Sequence, residues 1–185
     1  MVQDARTQQR EKVIEVLHRA RSMELHAIHQ YMNQHYNLDN QDYGEMAAKV
    51  KLVAIDEMRH AELFADRLEK LGAQPTTDLP AKVLKGQNVE AIFPFDANLE
   101  DDTIVKYNQF LMVCRENSDS ISMKLFEAII DEEQVHFDYF DSVRAHIENL
   151  DGTYLAKIAG TSSATGLQTQ GFVARQGGGT PQRGA

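Results

Sequence analysis

The chain has 185 residues and a formal charge of −9, enough length for one domain with a sizeable core. The acidic balance argues against general nucleic-acid binding, which needs basic stripes, and suits a protein that handles cations. The single cysteine, Cys114, leaves no intrachain disulfide. No signal-like or membrane-length apolar run is visible, so a cytoplasmic protein with no membrane partner is the expectation.

Strand signals are poor, and a helical period dominates from the first residues onward. The spacing predicts helices over 8–38, 44–72, 93–118 and 121–150. In the first, Leu17, Ala20, Glu24, Ala27 and Tyr31 fall at three- and four-residue steps. Residues 37–43 read as a turn. In the second helix the stripe is Val50, Val53, Glu57, His60, Phe64 and Leu71, and Gly72 reads as its cap. Residues 73–92 carry Pro75 and Pro80 and read as a long crossover, with Pro94 in the first turn of the third helix. Tyr107, Leu111 and Cys114 continue the face that starts at Glu100. Phe126, Ile129, Glu133, His136, Phe140, Val143 and Ile147 make the fourth stripe. After Asp151-Gly152, the apolar piece 154–158 suggests a short fifth helix. From Gly160 the composition becomes Gly-, Ser-, Thr- and Gln-rich and reads as a flexible tail. The division expected is a helical domain over 1–160 and a tail over 161–185.

A repeat runs through these stripes. Glu24 precedes Glu57-x-x-His60 by 33 positions, and Glu100 precedes Glu133-x-x-His136 by the same 33; each member of the second set follows the first by 76 (24→100, 57→133, 60→136). One Glu-x-x-His is most simply an ion pair on one helix face. Glu15-x-x-His18 is such a case, since positions 91 and 94 hold Ala and Pro and it has no counterpart. The duplicated motif differs: all six residues lie on apolar stripes, where a buried carboxylate is costly without compensation. Two divalent cations balance four glutamates. Oxygen-rich ligands with one imidazole per metal suit iron, manganese or zinc, and ligand type alone does not choose. A pair bridged by Glu57 and Glu133 roughly 3.5–4 Å apart, with Glu24 and Glu100 terminal, could deliver one electron each to O₂ or peroxide. Asp56 and Glu132, again 76 apart, each lie one helical turn before a histidine, within reach of a supporting hydrogen bond to that imidazole. Tyr31 shares the ligand face, as a core aromatic or as a phenol reaching the metal shell.

Six ligands on four helices joined by a long crossover match the recipe for ferritin-like di-metal bundles. With those residues in place, the chain resembles the bacterioferritins over roughly residues 8–160. The most specific stretches are Glu24 to Tyr31, Ile55 to Ala61 and Asp131 to His136. The resemblance implies an all-α four-helix bundle with a short C-terminal fifth helix and a di-iron ferroxidase centre in each subunit. It also implies a homo-oligomeric shell of about 24 subunits that stores ferric mineral. It implies haem shared between two subunits, with Met58 as the axial ligand from each; Met58 follows Glu57 and so points about 100° off the ligand face. A ferredoxin or rubredoxin is the kind of electron-transfer partner implied. Leu52 departs from the pattern, standing where some bacterioferritins carry a histidine of a cavity-wall iron site. The competing readings are a rubrerythrin-like peroxidase or manganese catalase, and a haem-binding electron-transfer dimer. The lone Cys114 excludes a rubrerythrin with a four-cysteine rubredoxin module.

Overall fold

The computed structural model describes residues 2–164 and 171–175. In chain order it comprises α1 (Val2–Asn40), α2 (Gly44–Lys70), α3 (Val89–Glu116), α4 (Ser120–Ile158) and a short α5 (Phe172–Arg175). No strand forms among the described residues; a lone bridge joins Tyr43 to Thr161. The all-α ferritin-like bundle expected from the repeat is the fold observed. α1 packs chiefly on α2 and α3 on α4, so each half is an antiparallel hairpin, and the halves meet through α1 with α3 and α2 with α4.

Three helix ends share one device. At Asp42, Gly72 and Ser118 the backbone turns left-handed (φ 70°, 78° and 61°). At each, two amides bond back to the last turn, as in Ala73 N–H to Leu68 O and Gly72 N–H to Glu69 O. This arrangement satisfies carbonyls that the helix itself leaves open. Asp119 then caps α4, accepting from Ile121 and Ser122 amides, while Arg67 donates to both its carboxylate oxygens at 2.7 and 2.8 Å. That fork ties the end of α2 to the start of α4.

The crossover is shorter than expected, because α3 starts at Val89. Asn88 accepts from the Ala91 amide and caps the helix there, which places Pro94 inside α3 and not in its first turn. Pro94 removes one i→i−4 bond, a defect the helix tolerates close to its N-terminal end. Polar residues of α1 and the turn after it serve the crossover and the start of α3: Gln30 donates to Leu84 O and accepts from Leu84 N, and Gln41 accepts from Val89 N. Residues 154–158 form no separate helix; α4 runs through Gly152 to Ile158. The short fifth helix lies further on, at 172–175, packed on α2 and α4. Of the tail, 165–170 and 176–185 lie outside the described residues, so the flexible reading is not addressed there.

Two apolar clusters fill the bundle. One gathers Leu38, Val50, Ile92, Phe93 and Phe140; the other gathers Leu17, Phe64, Leu68, Phe110 and Phe126. Between them lies a polar layer.

Candidate metal centre

That layer is built by the repeat. Glu24 comes from α1, Glu57 and His60 from α2, Glu100 from α3, Glu133 and His136 from α4, and none is more than 2% exposed. Their ligand atoms converge in two groups, Glu24/Glu57/His60/Glu133 and Glu57/Glu100/Glu133/His136, with the atoms of each within 4.8 Å of one another. Glu57 and Glu133 belong to both groups. One oxygen of each, Oε1, has no hydrogen-bond partner although it is fully buried. Those same oxygens lie 3.1 Å from the Nδ1 atoms of His136 and His60, close but off any hydrogen-bond direction. Unpartnered lone pairs facing shared space are what a cation needs. The donor set therefore fits two divalent metals.

Each histidine turns Nδ1 into the cluster and Nε2 outward. His60 Nε2 meets Glu132 Oε2 at 3.1 Å, and His136 Nε2 meets Asp56 Oδ2 at 3.4 Å. The expected support is present but crossed: each carboxylate serves the other half's histidine, not the one a turn along its own helix. A side chain four residues ahead shares the face of its own histidine, but the outward Nε2 crosses the bundle toward the opposite helix. The tyrosines cross as well. Tyr31 donates to Glu100 Oε1 and Tyr107 donates to Glu24 Oε1. Tyr107 was legible as a member of the third stripe only, although it follows Tyr31 by the same 76 positions that relate the ligands.

The electrostatics follow from packing six ionisable groups together out of water. Burial, then repulsion by Glu133 and Glu57, pushes Glu24 and Glu100 well above the usual carboxylate range. Burial pushes Glu133 up too, but the facing His60 charge and hydrogen bonds from both histidines outweigh it, so Glu133 falls below that range. Glu57 falls likewise, with His136 outweighing burial and Glu133. Burial lowers the histidines, yet Glu133 beside His60 and Glu57 beside His136 raise both well above the usual imidazole value. Tyr31 and Tyr107 are pushed up by burial, then by Glu100 and Glu24 respectively, and stay phenols that donate.

A cavity of about 600 Å³ opens beside the carboxylates, reaching Glu24, Glu57, Glu100 and Glu133 between α1, α3 and crossover residues Thr76, Asp78 and Pro80. His18 lines it, while Glu15 is exposed. Met58 lies elsewhere. It is 50% exposed on the outer face of α2, between hollows lined by Met32, Ile55 and Arg59 on one side and Leu25, Ile28 and Ala65 on the other. Leu52, by contrast, is buried.

Comparison with known proteins agrees with this architecture. The Ferritin family, described as a ferritin-like domain, matches residues 14–150. The chain is 59% identical over 168 residues to the bacterioferritin of Desulfovibrio desulfuricans, covering 91% of this chain and 94% of that protein. It is 32% identical over 130 residues to bacterioferritin BfrA of Mycobacterium tuberculosis, covering 70% and 82%. The X-ray structure of the Desulfovibrio protein, described as showing its diiron site in different catalytic states, superposes with a TM-score of 0.86 over 91% of this chain and 98% of that one. The Mycobacterium tuberculosis BfrA structure gives 0.75 at 30% identity, over 80% and 93%.

Proposed function

The chain belongs to the bacterioferritin family, a ferritin-like family of iron-storage ferroxidases with a di-iron site, and from that premise we propose how its own residues carry the reaction. The observation that supports the assignment most is the pair of ligand groups sharing Glu57 and Glu133, each with a buried oxygen left unpartnered. Glu57 and Glu133, common to both groups, would be shared by the two metals, Glu24 and Glu100 would each hold one, and His60 and His136 would bind through Nδ1. Iron bound there supplies the redox chemistry, each Fe(II) giving one electron so that a pair reduces O₂ or peroxide by two.

The protein's part is to hold and orient. Asp56 and Glu132 accept hydrogen bonds from the Nε2–H groups of His136 and His60, which fixes each imidazole with Nδ1 free for the metal. Tyr31 and Tyr107 point Glu100 and Glu24 inward by hydrogen bonding. The cavity over the carboxylates gives Fe(II) a route to them from the outside of the bundle. Residues 1–160 form the di-iron domain and 161–185 its tail.

The wider reading rests on the family. Homo-oligomers of about 24 subunits enclose the mineral. Met58 contributes one axial ligand to a haem shared by two subunits, and its half-exposed sulfur between two hollows supports this. The location is cytoplasmic, and a small electron carrier of the ferredoxin or rubredoxin kind reduces the store.

The test of the centre is Glu133→Ala. Stopped-flow absorbance after Fe(II) addition in air should show the fast oxidation phase lost, while Glu15→Ala leaves it intact. A wild-type initial rate in Glu133→Ala contradicts the assignment.

A further inference from the structure

The two halves of the centre are not equally supported. Glu132 meets His60 with a glutamate's reach, at 3.1 Å. Asp56, its counterpart 76 positions earlier, is one methylene shorter and meets His136 at 3.4 Å. Its carboxylate is held by other donors. Arg59 donates to Oδ1 at 3.0 Å, and the backbone amide of Val173 donates to Oδ2, the oxygen facing His136, at 2.8 Å. Val173 is 117 residues away in sequence, in the short helix after the tail begins.

That helix is seated, not merely adjacent. Phe172 and Val173 are each 4% exposed. The Phe172 ring packs on Tyr139 at 4.8 Å and sets its edge against the His136 ring at 6.3 Å and 62°. The Lys49 ammonium lies over the same ring, 5.9 Å from its centroid. Gly171 passes so close to Asp56 that a Cβ there would collide with both carboxylate oxygens. Upstream, Gly160 N–H bonds Asp42 O, and Gly44 leaves room for the backbone of 161–163, so the chain leaving α4 is also tied to the α1–α2 turn.

We infer that Gly171, Phe172 and Val173 position His136: the Val173 amide fixes Asp56, and the Phe172 edge fixes the ring. The inference rests on the two-metal reading above. It assigns the tail a task at one metal position only, the one made by Glu100 and His136. A histidine whose outer hydrogen bond is held in place presents Nδ1 at a set angle. Loosening such a partner lowers metal affinity by about 10- to 100-fold. No hydrogen bond or ring contact joins His60 to this helix among the described residues, so the position of Glu24 and His60 should be indifferent to it.

The experiment is anaerobic Co(II) titration of the full chain, followed by visible absorption. Val173→Pro removes the amide donor at a place in the first helical turn where proline is tolerated. Gly171→Ala blocks the approach to Asp56 by an independent route. Each is combined with Glu24→Ala, which leaves the Glu100/His136 position, or with Glu100→Ala, which leaves the other. In the Glu24→Ala background both changes should weaken Co(II) binding by about 10- to 100-fold. In the Glu100→Ala background they should leave it unchanged. The exposed Arg175→Ala is the control and should alter neither. Equal losses in both backgrounds, or none in either, overturn the inference while two Co(II) per wild-type chain uphold the two-metal reading. Fewer than two per wild-type chain overturns that reading and this inference together.

Discussion

Four protons and two divalent cations are alternative ways to balance the same buried charge. Burial and the two neighbouring carboxylates push Glu24 and Glu100 up and so favour their protonated forms, and Glu133 and Glu57, facing His60 and His136, favour the protonated imidazoles. Glu57 and Glu133 stay ionised between those imidazoles. Metals need the lone pairs that the protons occupy, so binding releases protons and strengthens as pH rises. Calorimetry of Zn(II) binding in buffers of different ionisation heat should show two or more protons released per chain near pH 7; none released would contradict this charge assignment. The same shifts set the stability of the metal-free fold. The raised histidines contribute fully below about pH 6.5, and their contribution fades as pH climbs through their raised values. The depressed Glu57 and Glu133 contribute above about pH 4.3 and lose it as pH falls. The metal-free melting temperature should therefore be highest in the weakly acidic range, and the stabilisation by metal should grow toward alkaline pH.

At the scale of the element, α2 presents the proposed iron ligands and the proposed haem ligand on two faces. Glu57 and His60 are buried toward the bundle, while Met58, one residue along and about 100° around, is half exposed. The haem and iron sites should thus separate genetically. Met58→Leu keeps volume and apolarity, costing less than about 1.5 kcal/mol in packing, and removes the Met58 sulfur. The expected outcome is loss of the haem Soret band with Fe(II) oxidation unchanged; a Soret band of full intensity in the variant rules out axial ligation by Met58. This separation was readable in the sequence because a 3.6-residue period assigns faces without knowledge of tertiary contacts. So was the bundle, because the 76-residue offset repeats ligands, and the tyrosine pair Tyr31 and Tyr107 obeys it too. What the period cannot supply is where a helix stops. The side-chain cap of Asn88 starts α3 at Val89, four residues ahead of the expected point, and Gly152 did not end α4 because helix packing outweighs one residue's propensity. The seat of Phe172 against His136 and Tyr139 was likewise hidden, since it joins residues far apart in the chain through an amide and a ring edge that leave no periodic trace.

For the whole molecule, storage asks more than one bundle provides. A single subunit of 20.9 kDa can oxidise iron at its centre but has no enclosed space in which a mineral could grow. The proposed closed shell of about 24 copies would supply it, with a mass on the order of 500 kDa. Each copy brings a formal charge of −9, so assembly gathers strong like charge. Such repulsion is long-ranged in dilute buffer and screened within about 8 Å at physiological ionic strength. The shell should accordingly be favoured by salt. Analytical ultracentrifugation should find the large species dominant near 0.15 M salt, with smaller species gaining as ionic strength is lowered roughly tenfold. Chief among these should be the dimer, which haem would join across Met58, with some monomer beside it. Met58→Leu should shift the low-salt population further toward the monomer. A particle no larger than a dimer at physiological salt contradicts the shell and favours a di-iron oxidoreductase that does not store its metal.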